Sequence, residues 1–397
     1  MATARILIAP DKFKGSLSAR EVADHIAIGL RDRLPDSIVK TLPMADGGEG
    51  TAEVICDARG GERVSCIAHD ALGRAIEARY VWLRESATAV MEMSAAAGLW
   101  RIAPEDRDLL NANTYGVGEM MNDAAKRGVE EILLGLGGSA TNDGGLGMAR
   151  ALGFRFLGPE QPPLPNYGLA GEQELERPAQ LVELTRIVFH NAAGNSTALS
   201  RRVWEADSGV SLNVVAAADV RNPLLGPRGA TSTFGPQKGG TPEQLEILES
   251  GLKRLADVVT RDLGCDFRDV PGAGAAGGLG FGLMTFCGAP VKSGFEVVAE
   301  FVGLRSAIED ADVVITGEGR LDEQTLEGKA PAGVAQLARQ LGKQVFAIVG
   351  SSGATAATSA LFDAVLILAR DQVTPEESRA RAGELLEERA RELAGMM

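Results

Sequence analysis

The sequence predicts an α/β protein, and three features carry that prediction. Short apolar runs without alternation recur at 6–9, 131–134, 213–218, 312–316, 345–349 and 364–368. Such runs match strands covered on both faces, as in parallel sheets. Stretches of helical periodicity with N-terminal capping signals lie between them. Glycine supplies 49 of 397 residues, above the usual level of about 7%, and the excess gathers where strands end. At roughly 150 residues per domain, this length predicts two or three domains.

Each element has its own warrant. The first strand, 6–9, is followed by Ser18 and Glu21, a capping box, and then by the apolar stripe Val22, Ile26, Leu30. Residues 80–83 and 87–93 read as strands, and 115–127 as a helix ended by Gly128. The strand at 131–134 runs straight into glycines; those at 213–218 and 312–316 also end in polar or glycine-rich sequence. Thr241, Pro242 and Gln244 open a helix with Leu245, Leu248, Leu252 and Leu255 on one face. Thr374, Pro375 and Glu377 cap a last helix that ends near Leu393. Two stretches are irregular: 158–170 as a proline-rich loop, and 219–240 as a long structured loop. The second reads as functional because it holds Asp219, Arg221, Arg228 and Lys238.

Composition excludes several classes. Lys and Arg total 40 against 54 Asp and Glu, a net charge of −14, and nucleic-acid binders need a basic footprint. No apolar run reaches membrane-spanning length. The first apolar stretch stops at Pro10 and is not a signal peptide. Cys56, Cys66, Cys265 and Cys287 form no CxxC pair, so a cytoplasmic protein with reduced thiols is expected. The three histidines, His25, His69 and His190, lack HExxH spacing. That disfavours a zinc site and a Ser-His-Asp hydrolase.

Seven glycine-rich segments carry most of the charged chemistry: 9–19, 43–51, 135–145, 219–231, 234–240, 271–282 and 315–329. Glycine lets the backbone approach a ligand, and exposed amides cradle phosphate oxygens. The clearest is GLGGSATNDGG at 135–145, between a strand and a helix-like stretch. That order suits phosphate at a helix N-terminus, with Ser139, Thr141 and Asn142 as hydrogen-bonding side chains and Asp143 as a possible metal holder. A tight turn with a capping Asp is the plainer reading. Gly135, Gly137 and Ala140, and again Gly272, Gly274 and Gly277, match dinucleotide fingerprints, a weak signal in a glycine-rich chain. No Walker loop or protein-kinase motif set is present.

Among the acids, Asp46, Asp143, Asp219, Glu318 and Asp322 lie in these segments rather than on helix faces. Lys12, Lys14, Arg221, Lys238, Arg320 and Lys329 are the cationic candidates. Carboxylates that hold a metal or take a hydroxyl proton, with cations that clamp phosphates, are what phosphoryl transfer requires.

Taken in order, APDKFKGSLSA, PMADGGEGT, GGSATNDGG, NPLLGPRGAT, FGPQKGG and GEGRLDEQTLEGK closely resemble the bacterial class I glycerate kinase family. The likeness spans most of the chain. It departs at Gly240, Leu321 and Glu296, where Ala, Ile and Asp are common, and in Asn113-Thr114-Tyr115. The resemblance implies an ATP- and Mg²⁺-dependent kinase that converts D-glycerate, usually to 2-phosphoglycerate. It also implies two α/β domains, one flavodoxin-like and one restriction-endonuclease-like, with the active site in the cleft between them. The expected division is 1–72 plus 291–397, with 73–290 inserted.

Within that reading each candidate has an expected role. Gly137, Gly138, Ser139, Ala140, Thr141 and Asn142 bind nucleotide phosphate, and Asp219 and Asp143 hold Mg²⁺. Asp46 is the general base, with Asp322 second. Lys14 and Ser16 hold the substrate carboxylate or the phosphoryl group, alongside Lys12, Gly47 and Gly48. Lys238 and Arg320 neutralise the moving phosphoryl group. The expected partners are D-glycerate and ATP, without nucleic acid or membrane, and a homo-oligomer is compatible. A nicotinamide-dependent dehydrogenase and a non-catalytic sugar-acid binder are the rival readings.

Overall fold

A computed structural model describes residues 4–161, 171–189, 212–322, 329–353, 360–368 and 374–397. Fourteen strands lie among them. In chain order they are β1 (Arg5–Ile8), β2 (Ile38–Thr41), β3 (Glu62–His69), β4 (Ala75–Leu83), β5 (Thr88–Glu92), β6 (Glu131–Gly135) and β7 (Phe154–Gln161), then β8 (Gly171–Glu174), β9 (Arg186–Phe189), β10 (Asn213–Ala217), β11 (Val291–Lys292), β12 (Val313–Leu321), β13 (Gln344–Ser352) and β14 (Ala364–Ile367). The chain divides into two compact units: Met1–Gly60 with Ser293–Met397, and Gly61–Lys292. The mixed α/β class expected from the sequence is what the chain forms.

The first unit is built on a five-stranded sheet of order β14-β13-β12-β1-β2. Every pairing in it is parallel. The N-terminal run therefore lies among the late strands. Strand order reverses between β1 and β12, and in open parallel sheets ligands bind beyond the carboxyl ends of the strands at such a switch point. The helix Ala19–Arg33 opens with the Ser18–Glu21 capping box and buries Val22, Ile26 and Leu30. It packs on the helix Ala382–Leu393, and a side chain at Gly29 would meet the Glu387 carbonyl at 2.3 Å. His25 Nδ1 lies 3.0 Å from Glu387 Oε1 across the same seam. The single last helix read from Thr374 is two helices, Pro375–Ala380 and Ala382–Leu393. The chain turns at Arg381 and seats Gly383 on the His25 ring, where a Cβ would lie 2.4 Å from Nε2.

The second unit holds a six-stranded sheet, β11-β10-β6-β5-β4-β3, and a three-stranded sheet, β8-β7-β9. Strands β11, β10, β6 and β5 are parallel, whereas β4 and β3 run antiparallel. The β3–β4 hairpin turns at Asp70, whose carboxylate accepts from the amides of Leu72 and Arg74, both at 2.9 Å. That pairing joins 61–72 to this unit, so the division falls at Gly60 and Gly61. Residues 158–161, read as the start of a proline-rich loop, continue β7 instead. The rest of that loop, 162–170, and His190 lie outside the described residues. The stretch 219–240 contains the helix Ala230–Phe234 and a 3-10 turn, Pro236–Lys238. The helix Pro242–Leu263 starts at the Thr241–Gln244 capping box and stops at left-handed Gly264.

Each unit has its own apolar core. One is centred on Ile8, Ile26, Ile315, Ile348 and Leu386. The other is centred on Met91, Met120, Leu134, Phe156, Leu255 and Phe281. Among the described residues no helix is long and apolar enough to cross a membrane.

Candidate active site

In the first unit, parallel pairing carries several candidate loops to one edge of the sheet. Past the end of β1, the amide of Asp11 donates to the Gly317 carbonyl at 2.8 Å. Phe13 is buried beneath the loop that follows, near the Cβ positions of Gly317 and Gly319. Beyond β2, the amide of Met44 donates to the Pro10 carbonyl, also at 2.8 Å, and leads into Asp46, Gly47 and Gly48. Asp46 Oδ1 accepts from the Gly48 amide at 3.1 Å, which fixes its carboxylate in a turn. Gly294 allows the approach of the next helix: a Cβ there would sit 2.1 Å from the Asp46 carbonyl.

Asp11 is the residue that sequence reading passed over. It is 8% exposed. Burial pushes its carboxyl up to about 8, and the charges of Asp46 and Glu318 push the same way, while Lys12 opposes. Three carboxylates thus feel one another at the switch point. The available signal was positional: an acid directly after the first parallel strand of an α/β sheet. Glu318 is buried within β12, and Lys329 Nζ lies 3.8 Å from its Oε2 and 3.7 Å from Asp322 Oδ1. Arg320 pairs loosely with Asp322, 3.4 Å away, and is largely exposed.

The lysine-rich loop is divided in its roles. Lys14 is exposed, free of the core. Lys12 donates to the Glu49 carbonyl and so ties its loop to the glycine turn. Ser16 Oγ donates to the Arg379 carbonyl at 2.9 Å, so its hydrogen already serves the fold.

In the second unit, the 135–145 segment leaves β6 and folds over itself. Leu99 donates to the Gly138 carbonyl and the Ala140 amide to the Ala97 carbonyl, at 2.8 and 2.9 Å. Ala140 therefore has no amide to offer a ligand. The amides of Gly137, Gly138 and Ser139 make no hydrogen bond within the described residues. Gly138 is exposed and left-handed, with φ of 71°. Three successive open amides with two glycines form the concavity that suits an anion. Thr141 Oγ1 and Asn142 Oδ1 are buried without a hydrogen-bond partner among the described residues.

The expected helix-terminus site is corrected. The helix Leu146–Ala151 has its first amides occupied by Asp143, whose carboxylate accepts from Gly145 and Gly147, both at 3.0 Å. It also accepts from the amide and hydroxyl of Thr114, both at 2.8 Å. With four donors on it, three of them on Oδ2, and no exposure, Asp143 anchors the loop. Burial raises its carboxyl, against the pull of those four hydrogen bonds. Asp219 follows β10, half-buried at the carboxyl end of its strand. Among the described residues, no group of three or more His, Cys, Asp or Glu is arranged to hold a metal ion.

Lys238 is also relocated. It is 3% exposed, and its Nζ donates to Ser139 Oγ and to the Thr141 carbonyl, both at 2.7 Å. Burial lowers its ammonium to about 7, partly offset by the Asp143 carboxylate. It braces the loop through these two bonds. Of the second fingerprint's glycines, Gly277 packs against the same loop, whereas Gly272 meets Val291 and Gly274 the Pro223 carbonyl. Gly277, with φ of 67°, would place a Cβ 1.9 Å from the Thr141 carbonyl, and its own carbonyl accepts from Gly144 at 3.1 Å. A close backbone crossing explains that glycine without a dinucleotide.

Glycine loops with open amides and clustered acids at the carboxyl ends of parallel strands define an α/β enzyme of the phosphotransferase class. The chain belongs to the glycerate kinase family, whose model matches residues 6–397. It is 39% identical to the glycerate kinase of Bacillus subtilis over 98% of this chain and 97% of that protein. It is 40% identical to the glycerate 2-kinase of Escherichia coli, over 87% of this chain and 85% of that one. A crystal structure assigned to glycerate kinase 2 of Salmonella typhimurium LT2 superposes with a TM-score of 0.80 at 39% identity, covering 99% and 98% of the two chains.

Proposed function

We propose that the protein transfers the terminal phosphoryl group of ATP to D-glycerate in the cytoplasm, with 2-phosphoglycerate as product. The observation that carries this reading is the set of open amides at Gly137, Gly138 and Ser139 beside a serine hydroxyl, a phosphate cradle in a family of glycerate kinases. The Escherichia coli relative's designation as a 2-kinase supports the product.

In this reading the second unit's loop receives the nucleotide phosphates. In the first unit, Lys12 and exposed Lys14 attract the glycerate carboxylate, and Gly47 and Gly48 shape the turn beside it. Asp46 takes the proton of the attacking hydroxyl, and Asp322 is the alternative base. Protonated Asp11 lowers the negative charge around Asp46. Arg320, largely exposed, offsets charge on the transferred group. Asp219 would hold Mg²⁺, which would spread that charge further, since magnesium needs one or two such ligands and keeps waters.

A coupled assay of ADP release with and without D-glycerate tests this, with phosphorus NMR of the product. Glycerate-dependent ADP release is the expected result; reduction of NAD by glycerate without ATP would replace it with the dehydrogenase reading. Asp46→Asn is expected to lower kcat by about a hundredfold or more, the range for loss of a general base. Near wild-type kcat would pass the role to Asp322.

A further inference from the structure

Lys238 is buried, so whatever it contributes passes through the two oxygens it touches. We propose that Lys238 is a positioning residue that sets the polarity of the Ser139 hydroxyl, so that the loop offers a donor to phosphate only while Lys238 keeps its proton. The proposal rests on the nucleotide-binding role of this loop given above.

The argument is one of hydrogen-bond inventory. An ammonium has three N–H donors and no lone pair. Two of its hydrogens reach Ser139 Oγ and the Thr141 carbonyl, each at 2.7 Å. A hydroxyl that accepts from an ammonium keeps its own hydrogen for another partner. Ser139 is itself only 8% exposed, and it directly follows exposed Gly138 in the run of three open amides. Its hydrogen joins theirs, and the constellation contains donors alone, as an anion requires. A neutral amine has a lone pair. It then accepts from the Ser139 hydroxyl, the bond reverses, and Oγ turns lone pairs toward the phosphate oxygens. The Thr141 contact survives either way, so the loop keeps its shape while its chemistry changes.

The surroundings place this reversal near neutrality. Burial has brought the ammonium down to about 7, and Asp143 is the carboxylate that partly holds it up. Arg107 lies on the other side of the turn and donates to the Gln237 carbonyl. No ion pair to Lys238 forms among the described residues.

The test is kcat/KM for ATP between pH 6.5 and 9.5 at saturating D-glycerate, a parameter that reports groups of the free enzyme. The wild-type protein is compared with Ser139→Ala and Lys238→Arg. The ratio of wild type to Ser139→Ala is expected to be about fivefold or more at low pH, one lost hydrogen bond to a charged group. It should fall toward unity at high pH, with kcat changing less than KM. Lys238→Arg, which cannot lose its proton, should keep its low-pH value across the range. A wild-type to Ser139→Ala ratio that is constant with pH, or that resides in kcat, overturns the proposal, and Ser139→Ala keeps it falsifiable if Lys238→Arg fails to fold. Absence of glycerate-dependent ADP formation at every pH overturns the kinase reading instead.

Discussion

Asp143 and Asp11 show how burial gives two acids opposite work. Asp143 is surrounded by donors, and Asp143→Ala strands four of them in the interior. A loss of about 3 kcal/mol or more is expected, read from the shift in a denaturant titration. Asp11 is surrounded by other carboxylates. Its folded pKa of about 8 stands above the ordinary 3.8. Between those values the folded chain holds a proton that the unfolded chain has released, so this group's contribution to stability falls as pH rises from about 4 to 8. Asp11→Asn should therefore melt at a higher temperature than wild type at pH 8.5, with the gap closing by pH 4, while losing activity. Thermal melts at both pH values check it. Such a trade is common where function holds a strained group. Neither role was legible from residue type. The sequence marks Asp143 as polar and glycine-flanked, but Thr114, which occupies it, lies 29 residues away. Likewise, Lys238 reads as a surface clamp until folding brings Ser139, 99 residues distant, over its ammonium.

Elements were legible in proportion to how fully their own residues declare them. The buried parallel strands β1, β6, β10, β12 and β13 are runs of Val, Ile and Leu. The capping boxes at Ser18, Thr241 and Thr374 all form, because a cap needs only four consecutive residues. Strand β2 is half-exposed at the sheet edge and carries Lys40, so it has no such run. Strands β7, β8 and β9 depend on one another for pairing rather than on a periodic pattern. The glycine segment at 271–282 had a weak local meaning and a strong tertiary one. Its left-handed turn at Gly277 lets the helix Ala275–Phe286 cross the backbone of the 135–145 segment at Thr141. Gly277→Ala puts a methyl group into that crossing. It should cost about 2 kcal/mol, from backbone strain alone. It should also lower kcat/KM for ATP by about tenfold, since small misplacements of binding groups are costly. Chemical denaturation and steady-state kinetics on the same sample separate the two effects.

At the scale of the whole molecule, the resemblance that reached most of the chain rests on loops, whereas stability rests on two cores with no residue in common. The cores differ in how the chain supplies them. Gly61–Lys292 is continuous, but the other unit takes strands from both ends of the sequence. A chain ending after Lys292 should therefore keep 61–292 resistant to protease while 1–60 is digested. Protection of 1–60 in that truncated chain would contradict it.

The same arrangement sets a timetable for synthesis. β1 finds its neighbour β12 only after some 307 further residues have been made, the separation of Arg5 and Asp312, which are hydrogen-bonded in the finished sheet. At 5–20 residues per second this is a delay of roughly 15–60 s. Throughout it, the apolar strand Arg5–Ile8 and the helix behind it are born without most of their sheet, β2 alone being available early. The inserted unit has time to fold first, while the N-terminal strand waits for β12.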